Sequence, residues 1–378
     1  MVASGDSYKK FMAQTIHANQ IEGELERIWD SLKETNKMRA CLFNLIIYSK
    51  NDQRLHYLDT IVQKVIEKFP SRVIFITHDE KGSYDNLKIN VSIMTAEEGG
   101  NEIICDLIEV AATQKDHPLI PFVILPHLLP DLPIYLVHAD DPSEKDPISF
   151  KIEHLVNRII FDSESTTNLP MFAASVLQHR EQTKAEVADL NWARMEGWRL
   201  LFAHVFRSEE DLNLLRHTTT IHIHYNSLVS ENLCHTNIQS IYLQGWIASE
   251  LGWKLQKVTK ENEILSFFYE TDHFPVTVFL HPSQMREIPS GRIISVAIET
   301  NNEYTFTLKR KLENPYQVLI EKSSQEFCSI PTYFNLDKNP TGHSLVKEIC
   351  HKGTSEHYLH LLTLLSTIKE GCLDVSKK

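Results

Sequence analysis

Glycine is scarce in this chain, which has 12 glycines among 378 residues. Nucleotide phosphates are commonly held by a glycine-rich turn before a helix, because glycine lets backbone N–H groups approach the phosphate oxygens. Neither GxGxxG nor GxxxxGK[ST] occurs in the sequence. We therefore predict no phosphate-binding loop, and any α/β domain that forms is predicted to be a fold without nucleotide binding.

Positive charge is also in deficit, since 38 Lys and Arg stand against 50 Asp and Glu, for a net charge of −12. Nucleic acids and anionic membranes attract basic surfaces, so neither is expected as a partner. The first 20 residues lack the apolar core of a signal peptide. The most apolar stretch, residues 118–137, is interrupted by prolines, each of which costs about 3 kcal/mol inside a helix. We expect a cytoplasmic protein that buries this stretch as a helix and a strand.

No CxxC pair is present among the cysteines. Without an export signal, reduced thiols are the expectation. Cys41 and Cys105 lie in apolar, strand-like runs and are predicted to be inert core residues. Cys372, close to a polar C-terminus, is predicted to be the most exposed thiol.

Sequence motifs for hydrolysis and zinc chemistry are missing, because neither GxSxG nor HExxH occurs. His357 and His360 are three residues apart on a predicted helix, which places both imidazoles on one face. No carboxylate or cysteine in the sequence completes a recognisable ligand set, so a metal site is not predicted. The acidic run 140–146 is predicted to be a solvated loop.

The length predicts two domains, with a boundary near residue 185. Residues 1–185 are predicted to form a mixed α/β, three-layer domain, a degenerate Rossmann-like fold without a phosphate loop. Its strands and helices alternate, which favours parallel pairing. The predicted strands are 40–48, 73–77, 88–95, 102–111, 134–137 and 158–161, and the predicted helices are 19–35, 55–69, 148–157 and 169–183. The Gly99-Gly100 pair indicates a hairpin between two of these strands.

Residues 186–378 are predicted to form an α+β domain with an antiparallel sheet. Asp189 is predicted to cap one helix that runs to Arg207. In the strand from Thr218 to Tyr225, His222 and His224 share a polar face. Further predicted strands are 264–270, 274–281, 291–299, 303–310 and 316–321, and further predicted helices are 237–252, 341–351 and 355–370.

Tryptophan and arginine cluster on the helix that begins near Asp189. Trp192 and Arg199 project from one face of it, and Arg194 pairs with Trp198 at a spacing of four residues. Trp and Arg are the residue types most enriched at binding hot spots. The alternative is a buried tryptophan with arginine stacked over it.

Several motifs recur here in the order of a known family. They are Gly99-Gly100-Asn101-Glu102-Ile103-Ile104-Cys105, residues 125–133 (LPHLLPDLP), Ile160-Phe161-Asp162-Ser163, Asp189-Leu190-Asn191-Trp192-Ala193-Arg194, and the helix from Gly245-Trp246 to Gly252-Trp253. Together they resemble the OpcA family, the glucose-6-phosphate dehydrogenase assembly proteins. The resemblance spans residues 40–255. The family often has threonine–proline–tryptophan–arginine where this chain has Glu196-Gly197-Trp198-Arg199. The cysteines tied to the family's redox behaviour cannot be placed in this sequence, so redox regulation does not carry over.

The resemblance implies a non-enzymatic assembly factor or allosteric activator of glucose-6-phosphate dehydrogenase, with no cofactor and no catalytic or metal-binding residues. From residue type and position in the motifs, we predict that the partner-binding surface is formed or supported by Asp189, Asn191, Trp192, Arg194, Trp198 and Arg199. Two alternatives remain open at this stage. One is an enzyme or metabolite sensor that binds a sugar phosphate in the α/β domain or the interdomain cleft. The other is a scaffold that binds the dehydrogenase without changing its kinetics.

Overall fold

The computed structural model describes residues 11–32, 37–50, 52–78, 87–98, 101–113, 115–144, 151–230, 233–301, 303–338 and 342–369. Cys372, the Gly99-Gly100 pair, the last two residues of the acidic run and the first residues of the predicted helix 148–157 lie outside this part of the chain. The chain forms two compact units. Unit 1 comprises residues 1–162, 179–189 and 340–353, and unit 2 comprises residues 163–178, 190–339 and 354–378.

The strands are numbered here in chain order. They are β1 (Phe11–Ile16), β2 (Lys37–Arg39), β3 (Asn44–Ser49), β4 (Arg72–His78), β5 (Lys88–Glu98), β6 (Asn101–Ala112), β7 (Ile134–His138), β8 (Arg158–Phe161), β9 (Glu186–Asp189), β10 (Thr218–Asn226), β11 (Lys254–Glu261), β12 (Ile264–Glu270), β13 (Val276–Ser283), β14 (Ile293–Thr300), β15 (Thr305–Arg310), β16 (Gln317–Ser323) and β17 (Thr332–Asn335).

The α-helices are numbered in the same way. They are α1 (Ile21–Leu32), α2 (Asp52–Ile66), α3 (Ile120–Ile124), α4 (Leu169–Thr183), α5 (Leu190–Arg194), α6 (Glu196–Val205), α7 (Glu209–Arg216), α8 (Ile238–Glu250), α9 (His343–Cys350) and α10 (Glu356–Ser366). Within the described ranges, none of these helices is long and apolar enough to cross a membrane.

Unit 1 is built on one sheet in the order β1-β5-β6-β4-β3-β7-β8-β9, with β2 paired to β6. The six strands from β6 to β9 run parallel, whereas β5 and β1 continue the sheet antiparallel at one edge. Every residue of β3 and of β8 is buried. Such continuous apolar runs are typical of parallel strands that are covered on both faces. The predicted mixed α/β fold is confirmed.

A late segment of the chain completes unit 1. The side chain of Arg158, on β8, donates to Glu348 on α9 at 2.6 Å and to the backbone carbonyl of Gly353 at 3.0 Å. Gly342 lies so close to α2 that a Cβ there would meet the Lys64 side chain at 2.8 Å. Residues 340–353 therefore belong to unit 1. The predicted boundary near residue 185 stays a prediction.

Unit 2 is built on a sheet in the order β11-β12-β13-β10-β14-β15-β16-β17. Its pairs are antiparallel, as predicted, except that β10 runs parallel to β13. Side chains alternate along β10, where Ile221 and Ile223 are buried and His222 and His224 are partly exposed. The buried face of the sheet lies against α8. The predicted α+β fold is confirmed, whereas β11 and β17 were not predicted.

The helix predicted from Asp189 to Arg207 is the main correction. Asp189 does not cap a helix but ends β9, where it pairs with Phe161 of β8. The helical residues that follow are divided at Met195 into α5 and α6. The buried parallel sheet of unit 1 takes up residues 186–189, and this long-range pairing overrides the local capping preference of aspartate.

Of the two cysteines predicted to be core residues on apolar strands, Cys105 lies on β6, whereas Cys41 lies between β2 and β3. Cys105 is buried, and burial raises the pKa of its thiol to about 12. Cys41 is partly buried, and burial again raises its pKa. A thiol must lose its proton to react, so both side chains are poor nucleophiles at neutral pH.

Candidate functional site

The parallel strands of unit 1 have the connectivity of a dinucleotide-binding fold. Taken in chain order as first to sixth, β3, β4, β6, β7, β8 and β9 lie in the spatial order 3-2-1-4-5-6. Folds of this kind bind their ligands outside the carboxyl ends of the strands, at the point where the order reverses. Here that switch point lies between β3 and β7, and its surroundings form the first candidate site.

A carboxylate of the chain itself occupies the end of β3. The backbone N–H of Lys50, the first residue after β3, donates to both carboxylate oxygens of Asp140, at 2.9 and 3.0 Å. Asp140 follows β7 and is buried together with Asp141, which accepts from the N–H and the hydroxyl of Ser143. The prediction of a solvated acidic loop is therefore wrong at Asp140 and Asp141, because the backbone N–H groups and a hydroxyl satisfy their carboxylates.

At the first turn of α2, a second carboxylate of the chain occupies a position where such a fold would hold phosphate. Arg54 forms a buried ion pair with Asp162, which directly follows β8. In a dinucleotide-binding fold, this helix start is where the pyrophosphate lies. In this chain a side-chain carboxylate neutralises the cation at that place.

A buried carboxylate and two imidazoles complete this edge of the sheet. Glu153 has no exposed surface, and His179 bonds to it through Nδ1. The imidazole of His138, at the end of β7, approaches the other carboxylate oxygen of Glu153 at 4.0 Å. Burial disfavours the charged form of His179, but the hydrogen bond and negative charge of Glu153 outweigh it, and the pKa of His179 is raised.

These contacts leave little at the switch point to attract an anion. Three cations at this edge already have a carboxylate partner: Arg54 has Asp162, His179 has Glu153, and Lys50 approaches Glu144 at 3.9 Å. A phosphate would have to displace these carboxylates and leave buried charges without partners, which costs several kcal/mol. The geometry therefore disfavours a bound dinucleotide or sugar phosphate at this edge.

The second candidate site is the tryptophan and arginine motif in unit 2. Asn191 donates to the hydroxyl of Ser163 at 2.9 Å and to the carboxylate of Glu164 at 3.1 Å, and accepts from Arg194 at 2.8 Å. Glu164 is buried and also accepts the backbone N–H of His235 at 3.1 Å. A buried network in which the polar side chains hydrogen-bond to one another fixes the local geometry.

Trp192 and Arg199 form a stacked pair. The guanidinium carbon of Arg199 lies 3.6 Å from the centre of the Trp192 ring, and its NH1 donates to the Trp192 carbonyl at 2.6 Å. The indole also packs on Tyr358 of α10, with ring centroids 5.5 Å apart. This pair holds α6 against α5, across the break at Met195.

The structure thus places five of the six predicted site residues in unit 2 and one, Asp189, in unit 1. Asn191, Trp192 and Trp198 are buried, Arg194 and Arg199 are partly buried, and Asp189 lies at the end of β9 in unit 1. The tryptophan with arginine stacked over it, the alternative from the sequence, describes Trp192 well. Sequence reasoning missed Glu164, because nothing local marks a glutamate that is buried by a distant network. The role of the six residues in partner binding stays a prediction.

Three histidines meet on the other face of the unit 2 sheet. The Nδ1 atom of His222 lies 2.9 Å from Nε2 of His281, and the rings of His224 and His281 stack with centroids 4.6 Å apart. Burial and the neighbouring imidazoles lower the pKa of His281 to about 4, and burial lowers that of His224. The predicted polar face is confirmed.

The histidine cluster predicts a specific loss of stability in acid. Because the folded pKa of His281 lies below the unfolded value of 6.5, the unfolded chain binds more protons between pH 6.5 and pH 4. We expect stability to fall as the pH is lowered through this window, by on the order of 1 kcal/mol after allowance for solvent screening. Urea unfolding of the wild-type chain and of His281→Gln at pH 7.0 and pH 5.0 measures the effect.

Between pH 7.0 and pH 5.0 the wild-type chain should lose more unfolding free energy than His281→Gln does. His179 works in the opposite direction, because its raised pKa contributes stability below pH 6.5 that is lost as the pH rises. It is present in both proteins and cancels. A pH-independent difference would show that His281 titrates normally.

Two family models match the chain. Residues 62–178 match the glucose-6-phosphate dehydrogenase subunit N-terminal domain, and residues 185–362 match the C-terminal domain of the same subunit. Both models are those of OpcA proteins, and together they cover more than three quarters of the sequence. The chain belongs to the OpcA family. The resemblance described from the motifs is therefore confirmed, and the match continues well beyond residue 255.

Curated OpcA proteins from cyanobacteria are similar to this chain at low identity. The OxPP cycle protein OpcA of Synechococcus elongatus is 26% identical over 161 residues, which are 43% of this chain and 34% of that protein. Its counterpart in Nostoc punctiforme is 24% identical over 208 residues, which are 53% of this chain and 42% of that protein. The matched part spans about two fifths or less of the length of these relatives.

A solved structure shares the fold of this OpcA family member. KijD10, a 3-ketoreductase from Actinomadura kijaniata crystallised with TDP-benzene and NADP, aligns with a TM-score of 0.51. The alignment covers 88% of this chain and 98% of that chain, at 8% sequence identity. At this identity the likeness is one of fold alone.

Proposed function

We propose that this chain is a non-enzymatic partner of glucose-6-phosphate dehydrogenase, which promotes assembly of the active enzyme or activates it allosterically. It would act in the cytoplasm, in the oxidative pentose phosphate pathway. The observation that carries the proposal is the match of both family models, whose descriptions refer to a subunit of that dehydrogenase. The names of the cyanobacterial relatives, which refer to the OxPP cycle, support it.

The switch point of unit 1 supports a role without catalysis. Asp140 takes the backbone N–H of Lys50, and Asp162 takes the guanidinium of Arg54, at the two positions where such a fold would hold phosphate. A chain that binds no dinucleotide there has no hydride donor or acceptor. It can still act on an enzyme by binding its competent state better than its other states.

The contact surface is proposed to lie over α6, with the tryptophan and arginine motif as its support. Trp192 and Trp198 are buried, so they would position this helix instead of touching a partner. The same helix presents Leu200, whose surface is 52% exposed. An exposed leucine on a helix that a stacked Arg–Trp pair holds in place offers a partner a fixed apolar contact.

A kinetic assay tests the proposal directly. The dehydrogenase of the same organism is assayed over a range of glucose 6-phosphate concentrations, with and without this chain, and the same mixtures are run on a size-exclusion column. We expect the two proteins to co-elute and the dehydrogenase to show a lower apparent KM or a higher rate. A coupling free energy of 1–3 kcal/mol would change its substrate affinity roughly 5–150-fold. Co-elution with unchanged kinetics would indicate a scaffold, and no co-elution would reject the proposal.

A matched pair of leucine variants tests the surface. Leu200→Glu should weaken binding by roughly tenfold, because a charge would be buried in the contact. Leu312→Glu is the control, since Leu312 is similarly exposed, at 45%, and follows β15. Equal affinities of the two variants for the dehydrogenase would show that α6 is not part of the contact surface. Thermal shift of the isolated chain with NADP, glucose 6-phosphate and 6-phosphogluconate should show no ligand-dependent rise.

A further inference from the structure

The C-terminal end of α8 and the first turns of α10 bring together one carboxylate and two imidazoles. Oε1 of Glu250 lies 2.8 Å from Nδ1 of His357 and 3.3 Å from Nδ1 of His360. One ligand atom from each of the three residues lies within 4.8 Å of the others. From the sequence, the two histidines lacked a carboxylate to complete a ligand set. The fold supplies Glu250 from a helix more than 100 positions earlier.

Local structure explains why both imidazoles face Glu250. The hydroxyl of Ser355 caps α10 by accepting the backbone N–H of Tyr358, so the helix begins directly before His357. Tyr358 and Leu361 are fully buried and fix which side of α10 faces inward. His357 and His360, three residues apart, then share the flank next to α8.

The close approach of the two helices depends on a glycine of the family motif. A Cβ at Gly245 of α8 would lie 2.6 Å from Cδ1 of Leu361 on α10. Glycine therefore permits the helices to pack at this distance, and the packing holds Glu250 within reach of both histidines. The geometry of the cluster comes from packed helices and not from a flexible loop.

Two imidazoles and one carboxylate are a ligand set that zinc proteins use, with a position left open for water or another ligand. Ligand atoms bound at about 2.0–2.1 Å in a tetrahedron stand about 3.3 Å apart. The separation of Oε1 of Glu250 from Nδ1 of His360, 3.3 Å, equals that value, and its separation from Nδ1 of His357, 2.8 Å, is 0.5 Å shorter. More than half of each imidazole is exposed, so an ion can enter from solvent and keep water ligands.

The simpler explanation is two surface ion pairs that share one carboxylate. Exposed pairs of this kind contribute little, and many crystallographic ones contribute nothing measurable. A metal site additionally requires three ligand atoms close enough to share one ion, and one atom from each of these three residues meets that requirement within 4.8 Å. We infer that Glu250, His357 and His360 form a surface site for a divalent transition-metal ion of the Zn²⁺ type.

The inference is tested with the full chain after dialysis against a chelator. Zn²⁺ alone is titrated by calorimetry, and melting temperature is followed in parallel. We expect one tight equivalent and a higher melting temperature, since an ion that binds only the folded state stabilises it by mass action. Co²⁺ in place of Zn²⁺ should give the visible absorption of a nitrogen and oxygen site, without a thiolate charge-transfer band.

Variants separate this site from adventitious binding by the other histidines. His357→Ala, His360→Ala and Glu250→Gln should each weaken Zn²⁺ binding at least about tenfold. The two imidazoles are exposed and glutamine keeps the shape of the Glu250 side chain, so the melting temperatures of the three variants without metal should match the wild type. His204→Ala, at an exposed histidine on α6, is the control and should bind as the wild type does. Unchanged affinity in the three site variants, or an equal loss in the control, would overturn the inference.

Discussion

Arg54→Met is expected to destabilise the chain by about 3–5 kcal/mol. Arg54 and Asp162 form an ion pair in which neither side chain has appreciable exposed surface. Removing the guanidinium leaves the Asp162 carboxylate as a buried charge whose main partner is gone, which is far more costly than never having buried the pair. Urea unfolding at pH 7 measures the loss, as a lower midpoint with an unchanged slope.

Two further variants show whether burial is the cause. Arg54→Met combined with Asp162→Leu removes both charges and should recover part of the lost stability. Arg27→Met breaks a pair on α1 in which the Arg27 side chain is 60% exposed, and should change the midpoint only slightly. If Arg54→Met and Arg27→Met had the same small effect, the contact between Arg54 and Asp162 would be as hydrated as a surface pair.

Gly245→Val is expected to lower the free energy of unfolding by about 2–3 kcal/mol, and the cause here is a steric clash. A Cβ at this position would meet Leu361 at 2.6 Å, and Leu361 is fully buried and has little room to rotate away. Overpacking of a closed helix contact costs about 1–3 kcal/mol, and two γ-methyl groups aggravate the clash. Thermal and urea unfolding measure the loss.

Gly23→Ala provides the matched control. Gly23 lies on α1, and no atom lies within 4 Å of the Cβ that alanine would add. Since alanine is a better helix former than glycine by about 1 kcal/mol, this variant should be stabilised or unchanged. Destabilisation of both variants by similar amounts would show that the cost at Gly245 is not steric. Gly245→Val should also weaken Zn²⁺ binding, because Glu250 lies on the same helix.

Periodicity and apolar runs were enough to predict most of the architecture. The buried strands of unit 1 and the alternating strand β10 were recognisable because their patterns are set by which faces are covered. The strands β1, β2, β9, β11 and β17 were missed, and four of them, β1, β9, β11 and β17, end the two sheets. The mostly exposed residues of β11 and β17 carry no such pattern, and edge strands form by pairing with a neighbour already in place.

The candidate sites were harder to predict, because the side chains that meet in them are distant from one another in the sequence. Trp192 and Arg199 are seven residues apart, and their stacking was one of the two alternatives available from the sequence. The partners of Asp140 and of His357 come from elements about 90 and more than 100 positions away. Spacing rules describe one helix or one strand, so they cannot show which carboxylate the fold brings to a histidine or a backbone N–H.

The late return of residues 340–353 to unit 1 has a consequence for synthesis on the ribosome. Arg158 is made early, but its buried partner Glu348 emerges almost 200 residues later. Domains generally fold as units during synthesis, N-terminal first, yet this N-terminal unit cannot close until nearly the whole chain has left the exit tunnel. Nascent unit 1 must therefore persist with an open flank, and a chain truncated after residue 339 lacks the segment that contacts Arg158 and α2.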